Sequence, residues 1–386
     1  MDTAAIIEAA AKTVFVFAML LVLVLFTIWA ERKILADMQS RIGPNRAGPF
    51  GLLQTLADGI KLFFKEDIMP TAADKIVYPL APIVSMIPAL VAFSVVPFGD
   101  TITIAGREIT LQLADLNVAV LFFLSMGSVS VYGIALAGWS SGSKYPLLGG
   151  IRATAQMISY EIAMALSVIP VVLYAGTMST SGIVQAQIDP RIAGTWFVVV
   201  QFPAFVIFLL AGIAETNRAP FDLPEAETEL VAGYHTEYSG VKFALFFLAE
   251  YVHVTTISAM AVTLFFGGWH GPRLGVLPWL WPMVWFFAKT GAFVFLFFWL
   301  RASLPRLRYD QLMTVGWKYL IPIALVWIPL SATAQVVETR RWFLVAAGIV
   351  IALLVLSVFI PSRRPEGEAV VEQPEPVEPD TEEATT

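Results

Sequence analysis

Glu161, Glu250, His253 and Lys289 sit inside stretches otherwise apolar enough to cross a bilayer, and Glu215 closes another. Charge at that depth is costly and usually functional. Glu161 lies eight residues past Ala153, about 12 Å into its span at ~1.5 Å per residue. Glu250 lies seven residues past Phe243, at a similar depth, with His253 three residues on and sharing its helical face. Glu215 closes the preceding span on the same side, and Lys289 falls near the middle of a later one. Three carboxylates from three helices at matched depth suit a proton-conducting or proton-coupled chain, because burial makes their protonation responsive to a nearby charge. Taken singly, each acid also fits a fixed helix–helix contact, and His253 alone reads better as a hydrogen-bonded packing residue. Depth matching is what groups the acids.

The stretch Glu215–Gly240, ETNRAPFDLPEAETELVAGYHTEYSG, adds a second concentration of acid. Asp222 and Glu225 have the N-cap and N3 spacing of a helix start, with Pro224 tolerated in the first turn. Capping leaves Glu227, Glu229 and Glu237 unexplained; they suit a polar cavity leading to the buried carboxylates, or a merely solvated acidic loop. The loop Ala30–Pro49 is dense in Arg and Lys. Topology accounts for the charge, whereas Ile42-Gly43-Pro44-Asn45-Arg46 and Gly48-Pro49 dictate a specific turn.

The elements that position these residues follow from hydropathy. Of 386 residues, 58% are hydrophobic and 14% charged, against about 25% charged in soluble domains. A large water-soluble domain is excluded. Nine stretches meet the roughly 20-residue requirement for a span: about 13–31, 77–97, 116–138, 153–175, 196–214, 243–267, 281–300, 318–335 and 342–360. The eighth is interrupted by Pro322 and Pro329, which neighbouring helices can accommodate. No small-residue cleavage site follows the first apolar run, so it is expected to stay as an uncleaved span. With the N-terminus outside, seventeen Lys and Arg fall on the inner side against six outside, so the positive-inside rule predicts N-out, C-in. Gly51–Lys65 has apolar residues at helical spacing but is too short and charged to cross, and is expected in the cytoplasmic interface. Thr101–Leu113 reads as a hairpin around Ala105–Gly106. The predicted class is an all-α polytopic membrane protein: a transmembrane domain over 1–361 and a disordered, acidic, Pro-rich cytoplasmic tail over 362–386.

Cysteine is absent and only three histidines occur. Thiolate catalysis, iron–sulfur ligation and Cys-type zinc sites are excluded, and no haem or metal cluster is expected. No phosphate-cradling glycine motif appears, so redox cofactors belong to other polypeptides. No nucleic-acid partner is expected.

Five stretches resemble the quinone-site membrane subunit of bacterial and mitochondrial complex I, the NADH:quinone oxidoreductase. They are Ala30–Gly51 (AERKILADMQSRIGPNRAGPFG), Gln54–Lys61 (QTLADGIK), Gly138–Tyr145 (GWSSGSKY), Arg152–Glu161 (RATAQMISYE) and Ala214–Gly240 (AETNRAPFDLPEAETELVAGYHTEYSG). The similarity runs in order from the first span to at least Pro322. It implies a subunit joining the membrane arm to the peripheral arm and forming most of the chamber that admits the quinone tail. Quinone is then the substrate, and electrons arrive from an iron–sulfur cluster in a peripheral-arm subunit, with FMN and NADH farther away. Small membrane-arm subunits are further partners, and the bacterial plasma membrane is the expected location. The resemblance implies redox-coupled proton movement at Glu161, Glu215, Glu225, Glu227, Glu229 and Glu250. It places Arg32, Arg41, Arg46, Asp58 and Asp222 at the quinone chamber. No catalytic residue in this chain alone and no NADH oxidation by the isolated chain are expected. Two other readings remain open at this level: the equivalent subunit of a membrane-bound hydrogenase or formate hydrogenlyase, and a stand-alone ion-coupled transporter. The intact acidic loop speaks against the first and the absence of an internal repeat against the second.

Overall fold

The computed structural model describes residues 3–104, 107–190, 194–222, 230–272, 275 and 277–336. The ninth apolar stretch, the acidic tail, the turn residues Ala105–Gly106, and Glu225, Glu227 and Glu229 lie outside the described residues.

The chain is a helical bundle. In order come α1 (Thr3–Met38), α2 (Gln54–Phe64), α3 (Val77–Ala92), a two-stranded hairpin of β1 (Ile102–Ile104) and β2 (Arg107–Ile109), α4 (Ala119–Ser140) and α5 (Lys144–Ala175). Then follow α6 (Thr180–Ile188), α7 (Phe197–Val200), α8 (Phe202–Glu215), α9 (Gly240–Phe265), α10 (Trp281–Ser303), α11 (Tyr309–Thr314), a π turn (Val315–Leu320) and α12 (Ile321–Val336). Among the described residues seven helices are long and apolar enough to cross a membrane. The hairpin pairs Ile102 with Ile109, as the turn chemistry predicts.

The fifth apolar stretch differs from expectation. It is broken at Gln201 into α7 and α8, and α8 is too short to span alone. Gln201 is fully buried at the break. Its Oε1 accepts from Trp327 Nε1 at 2.6 Å and Ser331 Oγ at 3.3 Å, so α12 is pinned where α7 ends. Broken helices persist in lipid only where such partners are supplied.

Helix α9 is the central post, in contact with α1, α2, α3, α5, α6, α8 and α10. Its sequence explains why it can be surrounded. Thr255, Thr256, Ser258 and Thr263 are fully buried, and each hydroxyl donates to the carbonyl four residues back. These side chains carry their own hydrogen-bond partner and are small enough for close packing. Beyond the C-terminus of α9, Lys289 of α10 donates to Phe266 O, Gly268 O and His270 O at 2.8, 3.1 and 2.7 Å. A cation on orphan carbonyls is a C-cap. Lys289 therefore fixes the connection after α9 and stands apart from the carboxylates.

Close approach also sets the α3–α4–α5 layer. A Cβ on Gly133 would stand 2.5 Å from Ser85 N, so α4 reaches α3 backbone-to-backbone only because that residue is glycine. Helix α2 keeps Leu56, Ile60, Phe63 and Phe64 exposed, Phe64 by 87%. An 11-residue helix with that apolar face fits the membrane interface. It packs against α1 and α9.

The segment before α9 is fastened by rings. Tyr78 and Tyr238 stack at 4.1 Å, Tyr78 Oη donates to Glu237 O at 2.6 Å, and Tyr238 Oη donates to Tyr78 O at 3.1 Å. His235 lies edge-on to Tyr234 and Phe243. Burial pushes its pKa down to about 4, against an ordinary 6.5. The opened segment therefore binds a proton more readily than the closed one, and closure is lost as pH falls from about 6.5 toward 4. Protection of the amides across Gly233–Tyr238, taken relative to their intrinsic exchange rates at each pH, is expected to fall between pH 7 and pH 5, and His235→Phe is expected to remove the effect.

Candidate functional site

The site is assembled at the end of the bundle that carries α2. Gln156 of α5 organises it. This residue is fully buried, and its Nε2 donates to Ala214 O at 2.7 Å, Phe221 O at 2.8 Å and Asn217 Oδ1 at 3.3 Å. One side chain thus closes the turn after α8 and presents Glu215 and Arg218 inward.

Arg218 is the hub. Its Nη1 lies 2.7 Å from Glu31 Oε1, and its Nε lies 2.7 Å from Glu250 Oε1. Its guanidinium stands 4.4 Å from the Tyr251 ring centroid. Glu31 also pairs with Arg301 of α10. Glu31 is 2% exposed and Arg218 6%. Two acids and two cations, drawn from α1, the 216–222 turn, α9 and α10, balance in charge where little water reaches. Burial works against the Arg218 cation, but Glu250, Tyr251 and Glu31 outweigh it and hold its pKa well above the ordinary value. Asp222, half-buried beside this group, adds repulsion on Glu250.

A second limb runs from Glu250 to the other two carboxylates. Glu250, His253 and Glu215 line one cavity with Ser130, Asn217 and Tyr234. Its volume is about 20 Å³, enough for a bound water among polar partners. His253 Nε2 lies 2.9 Å from Ser130 Oγ, which lies 3.2 Å from Ser85 O. Glu161 is close enough for its charge to act on Glu215, and its own carboxylate accepts from Ser128 Oγ. Glu215 has no cation within ion-pair distance among the described residues. A Cβ on Gly127 would come within 2.9 Å of Glu215 Oε1, so α4 supplies the space for that carboxylate by having none.

The predicted chamber residues divide. Arg32 Nη1 and Asp58 Oδ2 are 2.5 Å apart, joining α1 to α2, and Gln54 Nε2 donates to Asp58 Oδ1 at 3.1 Å. Burial pushes the Asp58 carboxyl up, but the Arg32 hydrogen bond and charge outweigh it and hold it below the usual range. Arg41 and Arg46 sit exposed on the turn between α1 and α2. They are on the same side of the bundle as the site but outside the buried network.

Glu161, Glu215 and Glu250 are thus brought together as their depths predict. Glu31, Arg218, Arg301 and Tyr251 were not singled out in the sequence, although they complete the network. Glu31 borders the Lys- and Arg-rich segment at the end of the first span, where it reads as one more topological charge. Arg218 is the lone cation in an acidic loop, which was the signal available. No group of three or more His, Cys, Asp or Glu arranged to hold a metal occurs among the described residues.

A chain of ion pairs and polar contacts, starting at Glu31 of α1 and ending at an α5 carboxylate, can respond to a charge introduced at one end. Residues 11–332 match the family model described as NADH dehydrogenase. That match spans most of the membrane bundle, so the chain belongs to the NADH dehydrogenase family, as the quinone-site type of complex I membrane subunit.

Proposed function

We propose that this chain forms the chamber through which a quinone reaches the junction with a peripheral arm, and that it couples quinone reduction to proton movement through its buried carboxylates. The observation that carries the reading is the group of linked ionisable side chains. It runs from Glu31, Arg218 and Arg301 to Glu250, Glu215 and Glu161, and the Arg32–Asp58 pair ties α1 to α2 one residue on from Glu31. The same role is assigned to Glu225, Glu227 and Glu229 on the sequence resemblance alone.

The physics needs no cofactor in this chain. Reduction of quinone consumes protons and changes charge in a low-dielectric space. Interactions there are far stronger than in water. The Glu31–Arg218–Glu250–Arg301 group is balanced, so an added negative charge beside it alters which carboxylate each arginine holds. That disturbance reaches Glu215 and Glu161, which lack a cation of their own among the described residues and therefore adjust by taking up or releasing a proton. Arg32 and Asp58 sit at the α1–α2 junction, where a lipid-soluble tail arrives from the interface. Arg41 and Arg46, exposed on the neighbouring turn, add positive charge at that mouth. The network lies on the side the basic residues place in the cytoplasm.

A photoreactive quinone analogue in the intact membrane complex tests the reading. Label on the peptides carrying Arg32 and Asp58, competed away by native quinone, is the expected result. Label confined to other subunits would overturn it.

A further inference from the structure

The opposite flank of α1 carries a feature that the carboxylate line does not use. A groove of about 460 Å³ runs between α1 and α10, with Thr255 of α9 at its floor. Its walls are almost wholly apolar, built from Leu23, Phe26 and Ile34 of α1 and Phe287, Val294 and Phe298 of α10. Successive helical residues turn by about 100°. Leu23, Thr27, Ala30 and Ile34 therefore form the stripe of α1 opposite Arg32, which faces α2. The stripe faces away from the Arg32–Asp58 contact, and Trp29 links the groove's edge to Phe50 of the α1–α2 connection.

Its length is informative. Leu23 to Ile34 on α1, and Phe287 to Phe298 on α10, each rise about 16 Å at ~1.5 Å per residue. That is half of a hydrocarbon core about 30 Å thick, the depth of one leaflet. Charge is found at one end only. Lys33 lines the groove there, and no ion-pair partner for it occurs among the described residues. Trp29, whose Nε1 donates to Phe50 O at 3.1 Å, marks the same level as an interfacial tryptophan does. An apolar channel one leaflet deep, with a cation at its interfacial end, has the chemistry of a lipid anchored by its phosphate.

We propose that this groove seats one acyl chain of an anionic phospholipid from the leaflet on the basic side, with the headgroup phosphate at Lys33. The proposal is independent of the quinone reading. A lipid wedged there supports the α1–α10 flank from which Glu31 and Arg301 extend into the buried network.

Photoreactive phosphatidylglycerol and phosphatidylcholine, compared in the intact complex in bilayer discs, test it. Phosphatidylglycerol is expected to label 23–34 and 287–298, about fivefold above phosphatidylcholine, the worth of one Lys beside an anionic lipid. Excess inorganic phosphate is expected to leave this labelling unchanged. A Cβ on Gly291 meets no atom within 4 Å, so Gly291→Leu adds bulk into the groove without a backbone clash; it is expected to abolish labelling at both segments. Lys33→Gln is expected to erase the headgroup preference while chain labelling persists. Equal labelling by both headgroups in the unaltered protein, full labelling in Gly291→Leu, or competition by inorganic phosphate would each overturn the proposal.

Discussion

Arg218→Met is expected to destabilise the subunit by about 3–5 kcal/mol, the range for removing one partner of a buried ion pair. The reason is the arithmetic of the network. Arg218 stands between Glu31 and Glu250, each at 2.7 Å. Without it, Arg301 remains beside Glu31, and Glu250 is left in an apolar helix with Asp222 nearby. A second substitution distinguishes charge imbalance from lost packing on Tyr251. Glu250→Gln added to Arg218→Met leaves one acid and one cation, and is expected to recover most of the loss. Thermal unfolding of the complex in lipid, with the fraction of subunit assembled, reads both. An Arg218→Met complex as stable as the parent would mean that the network is solvated rather than buried.

Glu215→Gln is expected to behave in the opposite way: little change in thermal stability and a large loss of coupled turnover. Glu215 is 6% exposed and has no cation within ion-pair distance among the described residues, so Gln keeps its shape without breaking a pair. Gln cannot carry a proton on and off. Removing a proton-transfer group typically lowers a rate by about 10²-fold or more. Quinone reduction coupled to proton uptake is expected to fall by that order in proteoliposomes, while NADH oxidation with an artificial acceptor at the peripheral arm continues. Unaltered reduction with unaltered pumping would remove Glu215 from the mechanism.

The sequence made much of this legible, for identifiable reasons. Glu161, Glu215 and Glu250 stood out because a carboxylate inside an apolar helix is costly and the three share a depth, which follows from a fixed rise per residue. Helix α2 was legible because its apolar residues recur at helical spacing over too short a length to cross. The hairpin followed from turn chemistry. What escaped prediction depended on contacts between distant segments. Glu31 and Arg218 are 187 positions apart, and nothing local to either announces the other. The break at Gln201 resembled an uninterrupted apolar run because its stabilising partners, Trp327 and Ser331, come from α12. Lys289 was grouped with the membrane charges by depth alone. Its three carbonyl partners lie in the loop beyond α9 and make it a cap.

The central claim is that quinone chemistry alters protonation at Glu215 and its neighbours. Infrared difference spectra of the complex in lipid, recorded on electrochemical quinone reduction, report it directly through the carbonyl stretch of protonated carboxyls. The account predicts a carboxyl band that appears with quinone reduction and is lost in Glu215→Gln. A band of full size in Glu215→Gln, or no carboxyl band in the parent, would contradict it.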